Sequence, residues 1–139
     1  MSFEHRLTVR FFEVDRAGIA FFGRVFEYCH AAYEALLVAL DYPLAQVFDN
    51  EGWGMPLVHA EADFKRPMRL GEELVIKVSV GRLGKTSIIL DFAVYGADDG
   101  ELRATAQHVH ACVDMERFAP MEVPDRLRQA FKSLGDAAQ

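Results

Sequence analysis

The 139-residue chain predicts an α+β fold in which a curved, antiparallel five-stranded sheet wraps around one long central helix, with a second helix at the C-terminal end. Three observations predict it. A segment that starts near Arg24 has helical spacing and is apolar around most of its circumference. Five other runs are rich in β-branched and aromatic residues. The last segment is amphipathic at helical spacing.

The first strand is expected over Leu7–Phe12, an apolar run that ends at the turn-forming sequence DRAG. The central helix follows. At about 100° per residue, Arg24, Glu27, His30 and Glu34 fall within a stripe roughly 120° wide, with Asp41 in the same sector. The apolar and small residues from Val25 to Leu40 cover the rest, more than a helix lying on a flat surface needs. Its alanines allow close approach, so a curved sheet is its natural partner. The run is too short and too charged to span a bilayer. The remaining strands are expected over Leu57–Phe64, Glu73–Arg82, Ser87–Tyr95 and Leu102–Asp114, separated by Gly, Pro and Asp. In the fourth run Ile88, Leu90, Phe92 and Val94 alternate with a more polar set and form a buried face. GADDGE (96–101) and GRLGK (81–85) read as hairpin connections. Pro124 opens the final helix, with Leu127, Ala130, Phe131 and Leu134 on one side.

Composition fits a single domain over residues 1–139. Hydrophobic residues make up 51% of the chain, enough for a real core, and no linker, repeat or low-complexity tract divides it. The formal net charge is −6, which argues against general binding to nucleic acid or an anionic membrane surface. The charged start, MSFEHRLTVRFF, lacks the apolar core of a signal peptide, so a cytoplasmic location is expected. Cys29 and Cys112 read as small buried hydrophobes. No CxxC or HExxH grouping is present, and neither a metal nor a separate cofactor is expected.

Asp15 draws the most attention. It stands in a turn just ahead of the long helix, where Gly18 permits tight folding and the first helical amides, near Phe21, Phe22 and Gly23, favour negative charge. From spacing alone, Asp15 reads as an Asx-turn or capping residue or as a catalytic carboxylate. His59, Glu61 and Asp63 alternate on one strand face, which either meets solvent or lines a cleft. His108 and His110 share a face with Cys112 and read as hydrogen-bonded structural residues or as cross-strand partners of His59. Cations with backbone amides occur at Arg82, Lys85, Thr86 and Ser87, and again at Lys65, Arg66 and Arg69. Both places suit a phosphate, and both also suit a solvated hairpin tip. Phe21, Phe22, Phe26, Tyr33, Phe48 and Trp53 would suit a flat aromatic group, although core filling explains most of them. Trp53, between Gly52 and Gly54, is proposed as a pocket wall.

VRFFEVDRAGIAFF (9–22) and MPLVHAEADFKRPMRLGEEL (55–74), in the order strand, D-x-A-G-I, long apolar helix and four strands, resemble the hot-dog-fold acyl-CoA thioesterases of the 4-hydroxybenzoyl-CoA thioesterase family. The resemblance covers nearly the whole chain. FEYCHAAYEALL with MPLVHAEADF is particularly similar to the 1,4-dihydroxy-2-naphthoyl-CoA thioesterases, and DRAGIAFF is equally similar to the 4-hydroxybenzoyl-CoA enzymes. The resemblance implies a hot-dog fold that hydrolyses an acyl-CoA, of hydroxybenzoyl or dihydroxynaphthoyl type, to free acid and coenzyme A. Asp15 would be its nucleophile or general base, and the Phe22 amide its oxyanion donor. His59 would orient a hydroxylated ring. Arg82, Lys85, Thr86 and Ser87 would contact the CoA nucleotide or pyrophosphate. It further implies a homodimer pairing strand edges, extended to a homotetramer, with acyl-CoA between subunits. The chain departs from several relatives at Gly23, where they carry His, Asn or Pro, and Phe22 stands where the 4-hydroxybenzoyl-CoA enzyme has Tyr. A backbone donor survives both changes. A short-chain acyl-CoA thioesterase, a hot-dog dehydratase and a non-catalytic acyl-CoA-binding protein are the alternative readings.

Overall fold

The computed structural model describes residues 2–45 and 52–138, with side chains to residue 134. Phe48 lies outside the described residues. Strands β1 (Phe3–Thr8), β3 (Leu57–Phe64), β4 (Glu73–Leu83), β5 (Ser87–Gly96) and β6 (Leu102–Ala111) form an antiparallel five-stranded sheet in the order β1-β4-β5-β6-β3. Three two-residue strands, β2 (Trp53–Gly54), β7 (Val113–Asp114) and β8 (Ala119–Pro120), form a second small sheet.

The first strand lies earlier than Leu7–Phe12. Phe3 pairs with Val78 and Thr8 with Glu73, and Phe3, His5 and Leu7 alternate as the half-buried set. Phe11–Glu13 instead make a single 3-10 turn, because the Glu13 carboxylate accepts the Arg10 amide at 2.8 Å and closes the chain on itself. The fifth run breaks at Cys112, whose amide donates to the Thr86 carbonyl. In β5 Ile88, Leu90, Phe92 and Val94 are all buried, as the alternation requires.

Helix α1 (Arg24–Ala39) buries Val25, Tyr28, Cys29, Ala32, Tyr33, Leu36 and Leu37. They pack against the concave sheet face, built from Ile76, Val78, Leu90, Phe92 and Ala106 among others. Helix α2 (Asp125–Ala138) seals one end with Leu127 and Phe131. Its first-turn Arg128 amide donates to Pro124, which therefore precedes the helix. No helix among the described residues is long and apolar enough to cross a membrane. The strand order leaves β3 at an edge, with Leu57, Val58 and Phe64 exposed.

Candidate functional site

The DRAGI turn is specified by its own hydrogen bonds. The Asp15 amide donates to the Ile19 carbonyl, and the Gly18 amide donates to the Asp15 carbonyl. Gly18 takes φ of +77°, a left-handed conformation that glycine adopts without steric cost. Within this loop the Ala17 amide donates to Asp15 Oδ1 at 2.8 Å. Asp15 does form an Asx-turn, yet only one carboxylate oxygen is used by it. Oδ2 meets no partner among the described residues, and the residue is exposed.

The chain then returns to start α1. The Phe21 amide donates to the Glu13 carbonyl at 2.9 Å, and the Arg24 amide to the Phe21 carbonyl at 2.8 Å. The amides of Phe22 and Gly23 fall between these bonds and donate to no acceptor among the described residues. Such free amides at a helix start carry partial positive charge. Glu13 braces the turn from behind: Tyr28 donates to its carboxylate at 3.1 Å. Burial and then the neighbouring Glu13 charge raise the Tyr28 pKa well above the usual phenol range, so the hydroxyl keeps the proton it donates.

Asp15 and Phe22 line one cleft of about 430 Å³, together with Phe21, Phe64, Lys65 and Arg66. The second of the two expected cationic clusters is therefore the one beside Asp15. Its position is tightly determined. The Arg103 carbonyl accepts the amides of both Lys65 and Arg66, at 2.8 and 3.1 Å. The Arg103 guanidinium, 7% exposed, is held by Glu72 at 2.6 Å and by Asp99 at 2.7 Å. Glu72 also accepts the Arg69 amide. Hydrogen bonding to Asp99 raises the Arg103 pKa further. Asp99 lies four residues before Arg103, but Glu72 and the Lys65 and Arg66 amides come from distant parts of the chain, so the local pattern around Arg103 does not mark the whole clip.

Other expected residues lie elsewhere. Arg82, Lys85, Thr86 and Ser87 occupy the β4–β5 hairpin, where Lys85 approaches Glu122 at 3.4 Å and Arg128 donates to the carbonyls of Gly84 and Lys85. The sheet register puts Ser87 beside Ala111 and Leu57 beside His110, whereas Phe64 pairs with Ala104. The hairpin is thus at the opposite end of the sheet from the Asp15 cleft. Trp53 is 6% exposed and packs near Tyr42 in the core. It does not border the Asp15 cleft.

His59 is exposed and sits within 3.6 Å of Glu61. It pairs in register with Val109, between His108 and His110. Alternation along β6 turns those two histidines to the opposite, concave face, so a cross-strand pairing with His59 does not occur. His110 Nδ1 is hydrogen-bonded to the Met55 carbonyl at 3.0 Å. His108, by contrast, has no partner at either nitrogen among the described residues. The expectation of a hydrogen-bonded structural residue therefore fits His110 and not His108.

The cleft thus brings together a carboxylate with one unpaired oxygen, a residue with an unpaired helix-start amide, and two cations at its wall. Comparison with known proteins gives an independent result. A model of the thioesterase-like superfamily matches residues 9–131. The chain is 36% identical over 129 residues to a 1,4-dihydroxy-2-naphthoyl-CoA hydrolase of Nostoc punctiforme, covering 93% of this chain and 86% of that protein. The corresponding hydrolase of Trichodesmium erythraeum is 34% identical, over 96% of this chain and 98% of its own. Among solved structures, a 1,4-dihydroxy-2-naphthoyl-CoA thioesterase from Synechocystis superposes with a TM-score of 0.90 at 25% identity, covering 96% and 98% of the two chains. A gentisyl-coenzyme A thioesterase superposes with a TM-score of 0.83 at 26% identity, covering 92% and 98%.

Proposed function

This chain belongs to the thioesterase-like superfamily and is an acyl-CoA thioesterase; from that premise we propose that Asp15 and the Phe22 amide hydrolyse an aromatic acyl-CoA to free acid and coenzyme A. The observation that carries the assignment is the shared cleft: a carboxylate with one unpaired oxygen and a residue with an unpaired helix-start amide line the same space. The aromatic acyl group follows from relatives named for dihydroxynaphthoyl and gentisyl thioesters.

Oδ1 of Asp15 is fixed by the Ala17 amide, which aims the carboxylate without consuming its second oxygen. Oδ2 either attacks the thioester carbonyl, expelling the CoA thiolate and leaving a mixed anhydride for water to open, or takes a proton from the water that attacks. In both routes negative charge grows on the thioester oxygen, and a preset amide donor stabilises it there. Gly23 supplies a second unpaired amide and no side chain. A thiolate is a good leaving group, so the site needs no strong general acid.

Lys65 and Arg66 line the same cleft as Asp15, where they would meet the phosphates of the bound CoA. Arg82, Lys85, Thr86 and Ser87 reach this cleft only from a second copy of the chain, which would place them on the nucleotide across a subunit boundary. The free β3 edge supports an assembly of at least two chains, paired through that edge. His59, on the outer sheet face, would meet substrate only in such an assembly.

Asp15→Asn is the direct test. It retains the Oδ1 acceptor for Ala17 and loses the charge, so the fold and thermal stability should persist while kcat falls by about a thousandfold or more. Undiminished release of free thiol would remove Asp15 from the mechanism.

A further inference from the structure

A helix start is ordinarily locked by a side chain that caps its first free amides. Helix α1 lacks such a cap: Gly23 stands at the N-cap position, and no side chain bonds to the helix start from there. A capping oxygen would occupy the amides that, in the thioesterase reading, have to stay free for the thioester oxygen. The start of α1 is fixed from two other places. The Arg24 guanidinium donates to the Phe12 carbonyl at 3.2 Å. About one turn inside the helix, Tyr28, only 3% exposed, donates its hydroxyl to Glu13 Oε1 at 3.1 Å.

Glu13 is tied through its amide, its carbonyl and its carboxylate. The amide donates to the Arg10 carbonyl at 2.9 Å, the carbonyl accepts the Phe21 amide at 2.9 Å, and Oε1 accepts the Arg10 amide at 2.8 Å as well as the Tyr28 hydroxyl. Asp15 comes two residues after Glu13 along the chain, and Phe22 directly follows the Phe21 that Glu13 holds. Residues 15–18 between them are exposed, so core packing does not set the distance from carboxylate to amide. Neither Glu13 nor Tyr28 is among the described residues that line the Asp15 cleft.

We infer that the hydrogen bond from Tyr28 to Glu13 is a displaced cap, which aligns the Phe22 amide with the Asp15 carboxylate while leaving that amide free, and that Tyr28 and Glu13 are therefore positioning residues of the hydrolysis. This rests on the assignment of Asp15 and the Phe22 amide and adds the pair that aligns them. The bond joins the segment leading into Asp15 to the helix that carries the amide, and a misplacement of about 1 Å between reacting groups costs on the order of a hundredfold in rate. Because the pair does not line the cleft, its loss falls on kcat and not on KM.

Tyr28→Phe keeps the packing of the ring and removes only the donor. At a temperature where circular dichroism shows the variant folded, kcat should fall roughly 10–100-fold while KM stays within about twofold. Burial and the Glu13 charge keep the Tyr28 proton in place, so the loss should be the same at about pH 6 and about pH 9. Glu13→Gln retains an acceptor for both Arg10 and Tyr28, and should recover most of the kcat that Glu13→Ala loses. In an Asp15→Asn background there is no carboxylate to align, and adding Tyr28→Phe should cost little more. A lowered melting temperature with kcat intact in Tyr28→Phe would overturn the inference, as would a rise in KM that matches the fall in kcat/KM, or equal losses in Glu13→Gln and Glu13→Ala. Undiminished turnover in Asp15→Asn alone would remove the reading on which the pair rests; turnover lost in Asp15→Asn but kept in Tyr28→Phe would remove the pair and leave Asp15 in place.

Discussion

His108 lies between the rings of Phe26 and Phe92, at centroid distances of 6.2 and 4.7 Å. Burial first, and then the neighbouring His110 and His30, lower its pKa to about 4. His110 is lowered as well, chiefly by burial. In the unfolded chain a histidine titrates near 6.5, so below that pH the unfolded state holds more protons than the folded one. The contribution of His108 to stability is therefore complete above about pH 6.5 and is lost as the pH falls towards 4, at up to about 1.4 kcal/mol per pH unit. Urea unfolding at pH 7.5 and pH 5 should show this decline, with a smaller one in His108→Gln; equal stabilities at the two pH values would contradict it. The cysteines behave differently. Burial pushes Cys29 up to about 12 and Cys112 to about 11, so both thiols stay protonated and unreactive at neutral pH.

At the level of elements, α1 and the central strands were legible because each obeys one periodicity over its length. The sixteen residues of α1 and the strict alternation of β5 permit no other reading. The first strand was displaced because VRFF is as apolar as a strand, and only the bond from Arg10 to Glu13 turns it into a 3-10 turn. Asp15 was legible as a turn residue with a free position beside a helix start. Its cationic neighbours were divided between two clusters that local sequence cannot rank, since the choice depends on which end of the sheet each occupies. Tyr33 was legible as one of the aromatics that would suit a flat ring or fill the core; that its hydroxyl is buried without a partner among the described residues is a fact of packing. The two cationic clusters make a testable pair. Lys65→Glu, beside Asp15, should raise KM for an acyl-CoA roughly three- to tenfold, since an exposed charge contact contributes up to about 1 kcal/mol and reversal turns attraction into repulsion. Lys85→Glu should do the same through the neighbouring chain. Neither change should affect a short thioester that lacks the nucleotide to a comparable degree, and equal effects on both substrates would remove phosphate contact as the cause.

For the molecule as a whole, the exposed apolar residues of β3 and the unpaired edge they flank are a liability in an isolated chain. The active-site assignment links that edge to activity. If two chains complete each site, activity per chain should fall on dilution in step with dissociation seen by sedimentation, and CoA thioesters should shift the assembly to lower concentrations. A monomer that retains full activity would break the link. The Arg103 clip bears on the cleft in another way. One residue fixes the Lys65–Arg66 backbone through its carbonyl and is itself fixed by acids from two separate turns, so the cationic wall is ordered when the chain folds and not anew in each encounter. Substrate capture should then proceed without a lag for loop closure. The Asp99 turn, remote from the chemistry, becomes a position where natural variation can retune how firmly CoA is held while the reacting carboxylate stays untouched.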